Sequence, residues 1–257
     1  MKLEARELSF SYTSGSGQVL NNVSFDVKGG ENTVILGVNG EGKTTLLKCL
    51  CGILKPTSGE CLFDGKSIGK MKGSERAERL AYVPQLPVFP DISVFETVLS
   101  GRRASFAFKP SKADRERAAD ALAAMGIEKL ASKSAKMLSG GEQRKVAVAR
   151  ALCSEARLML MDEPAANLDV GGALHLTEEI KKISRERGIT FLVTMHDISL
   201  ALRFADKILL LKDGAVCGSG GAEILTPETI NKIYGIQAQI YDLDGTRILV
   251  PDSNMKG

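Results

Sequence analysis

Apolar positions along the chain switch between two periods. Alternating or continuous apolar runs at LEARELSFSY (3–12), VLNNVSFDV (19–27), NTVILG (32–37) and ECLFDG (60–65) predict short strands from Met1 to about Gly65. One helix, Lys43 to Cys51, falls between the third and fourth. From about Leu86 to Leu138 the strand pattern disappears. SVFETVLSGR is followed there by RERAADALAAMGI, in which Ala118, Leu122 and Met125 recur at helical spacing, so residues 86–138 read as an inserted helical subdomain. From Ser139 the alternation resumes: a helix to Leu152, the strand RLMLMDEP, a helix from Ala173, the strand TFLVTMH, a helix from Ser199 and the strand KILLLKDG. Strands alternating with helices imply a parallel sheet covered by helices on its faces. The expectation is an α/β fold forming a single domain over 1–257, with a core built from 1–85 and 139–257.

Composition narrows the function classes. The 34 Lys+Arg outnumber the 31 Asp+Glu by only three. They are scattered rather than gathered into a basic stripe, so no nucleic-acid partner is expected. A chain that is 44% hydrophobic is not wholesale disordered. No apolar run approaches the ~18 residues that span a bilayer, and the opening MKLEARELSF is charged where a signal peptide is apolar. The chain by itself is therefore expected neither to be exported nor to cross a membrane. Five cysteines, an odd set without a C-x-x-C pair, fit a reducing, cytosolic compartment and no metal site. Cys49 and Cys51, at i,i+2 on a predicted helix, do not share a face and are expected as small packed hydrophobes.

The segment GVNGEGKT at 37–44 fits G-x-x-x-x-G-K-[ST], and it lies after a strand pattern and before a helix, where the mechanism needs it. Gly37, Gly40 and Gly42 let the backbone curl so that N–H groups point at phosphates, aided by the helix N-terminus. Lys43 adds a fixed positive charge, and Thr44 can supply its hydroxyl to Mg²⁺. The competing interpretation is a glycine-rich turn, and the motif alone does not decide between them.

RLMLMDEP is an apolar strand ending in Asp162 and Glu163, and in a parallel sheet such an end opens into the ligand crevice. Asp162 suits a water-mediated hold on Mg²⁺, and Glu163 suits a general base acting on the attacking water. His196 ends the next strand, where an imidazole can reach a γ-phosphate and position that water. His175, in a polar helix with no companion, reads as bland surface. Gln85 closes the strand YVPQ where the helical insertion begins, and its amide can ligate Mg²⁺ and report it to the inserted helices. Tyr12, in FSY, can lay its ring on a purine.

LSGGEQ at 138–143, followed by RKVAVARAL, resembles the signature of ATP-binding cassette (ABC) ATPases. Tyr12, GVNGEGKT, Gln85, LSGGEQ, LMLMDEP, NLD and His196 stand in that family's order and approximate spacing over essentially the whole chain. The resemblance implies a P-loop NTPase core with an antiparallel β subdomain at its N-terminus. It carries nucleotide binding over to Tyr12, Gly37, Asn39, Gly40, Glu41, Gly42, Lys43, Thr44, Thr45, Gln85 and Asp162, with ATP and Mg²⁺ as ligands. It further implies a head-to-tail dimer in which Ser139, Gly140 and Gly141 of one subunit close on the γ-phosphate held by the other. A serine and two glycines at a helix N-terminus are chemically a second anion site. Asp169, in NLD, looks like the family's residue for communication across that dimer. Val38, Ala165 and Arg144-Lys145 depart from the family's usual residues without removing a group that touches phosphate, Mg²⁺ or water.

HDISLALRFADKILLLKDG and the ending EILTPETINKIYGI, with GRRASFAFKPSKADRE, are similar to ATPase subunits of importers for iron–siderophore complexes, haem and cobalamin. The implied setting is the cytoplasmic face of a membrane. The implied partners are integral-membrane permease subunits, a second ATPase subunit and, indirectly, a substrate-binding protein. A cassette for another cargo such as a metal ion, a nucleic-acid machine of the same ATPase group and a nucleotide sensor without turnover are the competing interpretations. The first stays open. Lys43 and Ser139 are only 96 residues apart, which leaves no room for a long coiled coil, and the presence of Glu163 disfavours the sensor. Phe89, Pro90 and Val94 are expected as exposed permease contacts, with Asp91 beside them as a harmless site for charge reversal. The alternative is that they pack the insertion onto the core.

Overall fold

The computed structural model describes residues 1–13, 17–106, 109–243 and 246–251. In chain order the elements are β1 (Lys2–Phe10), β2 (Leu20–Lys28), β3 (Thr33–Leu36), α1 (Lys43–Leu50), β4 (Ser58–Phe63), β5 (Lys66–Ser67), α2 (Gly73–Ala77), β6 (Leu80–Val83), α3 (Val94–Leu99) and α4 (Lys112–Ala124). Then come α5 (Gly140–Cys153), β7 (Leu158–Asp162), α6 (Val170–Arg187), β8 (Thr190–Met195), α7 (Ile198–Phe204), β9 (Lys207–Lys212), β10 (Ala215–Gly220), α8 (Pro227–Tyr234), β11 (Ala238–Leu243) and β12 (Thr246–Pro251). The chain forms two compact units, Met1–Gly69 with Leu192–Gly257, and Lys70–Phe191.

In the first unit β3 lies between β8 and β9, parallel to both, with Val34 opposite Val193 on one side and Ile208 on the other. All four β3 residues are buried, as a strand covered on both faces requires. β10 adds antiparallel to β9. A separate sheet of order β2-β1-β4-β5 is antiparallel throughout, the N-terminal β subdomain that the family resemblance implied. The hairpin β11–β12 follows α8.

In the second unit β6 and β7 pair in parallel, from Leu80 opposite Leu158 to Val83 opposite Met161. All five residues of β7 are buried, so the run LMLM has no solvent face. α3 and α4 pack on α5. The inward stripe of α4 is the one its spacing predicts, with Ala118 at 0%, Leu122 at 2% and Met125 at 0% exposure. Both helices start with a capping box, Ser93 with Glu96 and Ser111 with Asp114, each satisfying two otherwise orphaned N–H groups.

Boundaries moved where local chemistry outweighed periodicity. The helix expected from Ala173 starts at Val170, because the Asp169 side chain caps it by accepting from Gly172 N at 2.6 Å. SVFETVLSGR gives a six-residue α3 followed by a 3₁₀ stretch, Ser100–Ser105. In GRRASFAFKPSKADRE, Ala107 and Phe108 lie outside the described residues. After KILLLKDG periodicity predicts no element, although Thr226-Pro227 and Gly235 bracket α8 with a cap, a first-turn proline and a left-handed stop. Cys49, Cys51, Cys61 and Cys153 are buried free thiols and Cys217 is exposed. Burial, with Cys51 nearby, pushes the Cys49 thiol up to about 12, the behaviour of a packed hydrophobe rather than a nucleophile.

Candidate functional site

The phosphate loop occupies the turn between β3 and α1. Gly40 (φ +93°) and Gly42 (φ +91°) adopt the left-handed backbone that only glycine enters freely. A Cβ on Gly37 would meet Leu211 O at 2.5 Å, so β9 leaves no room for any side chain there. The Lys43 ammonium turns back into its own loop and donates to Gly37 O at 2.7 Å and Val38 O at 3.0 Å, with the side chain only 5% exposed. These carbonyls hold the charge at the centre of the curl, where an anion would replace them. The Glu41 carboxylate accepts from Asp213 N, so its side chain is tied back to the protein and its backbone N–H is the group that can face a phosphate. Thr44 is half-buried and Asn39 exposed.

Tyr12 meets the loop's helix directly. Its hydroxyl and the Thr45 hydroxyl are 2.9 Å apart, and its ring stands edge-on to Phe10 with centroids 5.0 Å apart. Edge-on packing fixes the ring while leaving it exposed. His196 is exposed at the end of β8, in the same unit as the loop.

The second unit carries the acidic strand end. Asp162, the last residue of β7, is 2% exposed, and Tyr82 of the neighbouring β6 donates its hydroxyl to Asp162 Oδ2 at 3.4 Å. Glu163 follows with φ +44°, a left-handed conformation in a non-glycine residue. Such strain costs of order 1–3 kcal/mol and persists only where neighbours over-determine it. Gln85 Nε2 donates to Glu163 Oε2 at 2.9 Å, and Arg144 Nη1 donates to Pro164 O at 2.9 Å and to Glu163 O at 3.3 Å. Gln85 therefore contacts the candidate base through its amide nitrogen.

Ser139 is the N-cap of α5. Its backbone N–H and hydroxyl both donate to Glu142 Oε2, at 2.9 and 2.7 Å, and its hydroxyl oxygen accepts from Glu142 N at 3.4 Å. These Ser139 bonds hold the Glu142 carboxyl below its usual range. The Glu142 carboxylate is spent on this cap, and its bonds go to Ser139. Ser139 and Gly140 are exposed, and the side of Gly140 where a Cβ would sit is open.

Two expectations are corrected. Phe89 and Val94 are not exposed contacts: they are buried, Phe89 with the Arg150 guanidinium 5.5 Å above its ring, while Leu86, Val88 and Ile92 are the exposed apolar residues of that segment. Asp91 is exposed and outside the core, and its Oδ1 accepts from Ser134 Oγ at 2.6 Å, a bond that charge reversal would remove. His175 has a companion, Glu179, at 3.0 Å. Tyr82 is not among the residues the sequence singles out, and Arg144 stands there only as a departure from the family's usual residue. The signal for Arg144 was a charge on the same helical face as Ala147, Val148 and Ala151, all buried.

The family model for ABC transporters matches residues 20–166. An ABC transporter ATP-binding protein of Methanocaldococcus jannaschii is 41% identical, covering 98% of each chain. A phosphonates import ATP-binding protein of Bdellovibrio bacteriovorus is 36% identical over 92% of this chain and 95% of its own. The ferric enterobactin transport ATP-binding protein of Escherichia coli is 34% identical over 97% and 94%. Among solved structures, an inward-facing metal-chelate type ABC transporter superposes with TM-score 0.83 at 28% identity, covering 97% of this chain and 96% of that one. A dimeric ATP-binding cassette bound to ADP and Pi gives 0.77 at 30% identity, covering 85% and 98%. Among the described residues no helix is long and apolar enough to cross a membrane. With the phosphate loop, the acidic strand end and the signature helix carried on a fold of this kind, the chain belongs to the ABC transporter family, as an ATP-binding, ATP-hydrolysing subunit.

Proposed function

We propose that this chain powers import through a separate membrane permease, with an iron chelate, haem or cobalamin as cargo. Hydrolysis is supported most directly by Glu163, whose carboxylate sits on Gln85 and whose backbone sits on Arg144. In this reading Lys43 and the loop N–H groups hold the β- and γ-phosphates, and the Tyr12 ring lies on the adenine. Glu163 accepts a proton from the attacking water, and His196 orients that water. Thr44, Gln85 and Asp162 are oxygen donors of the type Mg²⁺ takes, and Mg²⁺ would neutralise charge on the transferring phosphoryl group. The exposed Ser139 and Gly140 face outward from α5 to close on a partner subunit's nucleotide, with Asp169 communicating across that dimer.

The cargo assignment rests on the stretches after His196 and on the ferric enterobactin relative. The phosphonate relative, of similar identity, supports a second reading with a different cargo. Purifying the chain with its permease and measuring whether ferric siderophore or phosphonate stimulates ATP hydrolysis in proteoliposomes separates the two. Residues 86–138 are assigned as the helical subdomain that meets the permease, through Leu86, Val88 and Ile92. Val88, 87% exposed, is the place to test this. Val88→Asp should weaken permease co-purification with basal ATPase activity unchanged. Unaltered co-purification would remove the docking assignment.

A further inference from the structure

Arg144 presents an unusual energetic choice. It is 8% exposed on the apolar side of α5, and burial holds its guanidinium below its ordinary pKa. A charge in such a place is costly unless its hydrogen bonds are needed. The acceptors it meets are the carbonyls of Glu163 and Pro164, at 3.3 and 2.9 Å, the two peptide units that follow the strained φ of +44° at Glu163. Pro164 restricts the backbone on one side, Gln85 holds the carboxylate end at 2.9 Å, and Arg144 holds the carbonyl end. The side chain and the backbone of Glu163 are thereby fixed by two different elements.

We propose that Arg144 is a positioning residue for Glu163, and that through it α5 sets the aim of the base. The inference rests on the reading of Glu163 as the general base given above. α5 is a single 14-residue helix whose N-cap is Ser139, and Arg144 lies five residues on, within its second turn. A rigid helix carries a displacement at its first turn into the second undiminished. Closure of a partner's nucleotide on Ser139–Gly141 would therefore move the Glu163 carbonyl through one side chain, aligning hydrolysis with dimer closure. Sub-ångström misplacement of a reacting group is enough to matter, since an error of 1 Å can cost ~10² in rate.

The test compares Arg144→Met, Arg144→Gln and Glu163→Gln in the full chain. Arg144→Met keeps the length and apolar contacts but donates no hydrogen bond. Arg144→Gln keeps an N–H donor on a side chain two bonds shorter. The expected result is a fall in kcat of ~10–10² for Arg144→Met, in line with loss of alignment. The Kd for a fluorescent ATP analogue and the Tm should stay close to wild type, and Arg144→Gln should recover part of kcat. Wild-type kcat in Arg144→Met, with Glu163→Gln inactive, would overturn the positioning role alone. Turnover persisting in Glu163→Gln would overturn the base assignment and this inference with it. If Arg144→Met does not fold, Arg144→Leu, which likewise donates no hydrogen bond, replaces it. Parallel losses of kcat, nucleotide affinity and Tm would mean that Arg144 serves only to hold the fold.

Discussion

Replacing Glu163 by Gln separates chemistry from stability at this site. The substitution exchanges one carboxylate oxygen for an amide and leaves the side chain's shape, the left-handed backbone at φ +44° and the two Arg144 bonds to the following carbonyls unchanged. The bond from Gln85 Nε2, now 2.9 Å to Oε2, can be remade to the amide oxygen. It passes from a charge-assisted to a neutral bond, which about halves its strength and costs stability under ~1 kcal/mol. The chemical loss is much larger. A carboxamide cannot take a proton from water, and removal of a general base costs ~10²–10⁴ in rate, or about 2.7–5.4 kcal/mol of barrier. Phosphate release at saturating ATP and Mg²⁺ should therefore fall by that factor, while nucleotide affinity and Tm barely move. Gel filtration with ATP and Mg²⁺ should show a trapped dimer. A kcat within ~3-fold of wild type is far below any general-base effect and would refute the assignment. A fall in nucleotide affinity matching the fall in kcat would do so equally, since it would place Glu163 in binding rather than in proton transfer.

Ser139→Arg removes the cap of α5, worth ~1 kcal/mol, and should abolish turnover while monomer nucleotide binding persists. Mixed with Lys43→Ala subunits it should form dimers with a single intact composite site, and loss of monomer affinity would contradict the trans arrangement. Tyr12→Phe keeps the ring against Phe10 but loses the hydroxyl 2.9 Å from Thr45. That bond is internal to the protein, so its loss should lower stability by ~0.5–1.5 kcal/mol and leave ATP affinity close to wild type, whereas Tyr12→Ala should weaken ATP binding; equal affinities in fluorescence titrations of the two variants would remove the stacking role. Hydrogen bonds from the Ser111 side chain and backbone, and then from Arg102, hold the Asp114 carboxyl down at about 2 from an ordinary 3.8. A depressed carboxylate stabilises fully above its unfolded pKa and loses this as the pH falls through the folded one. Asp114→Asn should therefore lower Tm at pH 6, with the gap to wild type narrowing below about pH 4. A gap independent of pH would assign the effect to packing.

What the sequence determined by itself was local. The curl of GVNGEGKT needs left-handed backbone at Gly40 and Gly42, and it lies between a strand and a helix that its own flanking residues specify. LMLM is apolar throughout because no side of β7 meets water, and the stripe of Ala118, Leu122 and Met125 appears in the spacing because a helix buries one face. Ser-x-x-Glu at 139–142 specifies its own cap. Tertiary structure decided what periodicity cannot encode, namely which buried group meets which partner. Phe89 and Val94 lie in a segment rich in apolar residues, and only packing chose them for the interior and left Leu86 and Val88 outside. Tyr12 meets Thr45 across 33 positions, Gln85 meets Glu163 across 78, and Arg144 reaches the Glu163 carbonyl from another element. Each such contact depends on closing a long loop and on strain or burial at its far end. No local pattern carries that information, so the chemistry of the site was legible in residue types while its alignment was set only when the chain folded.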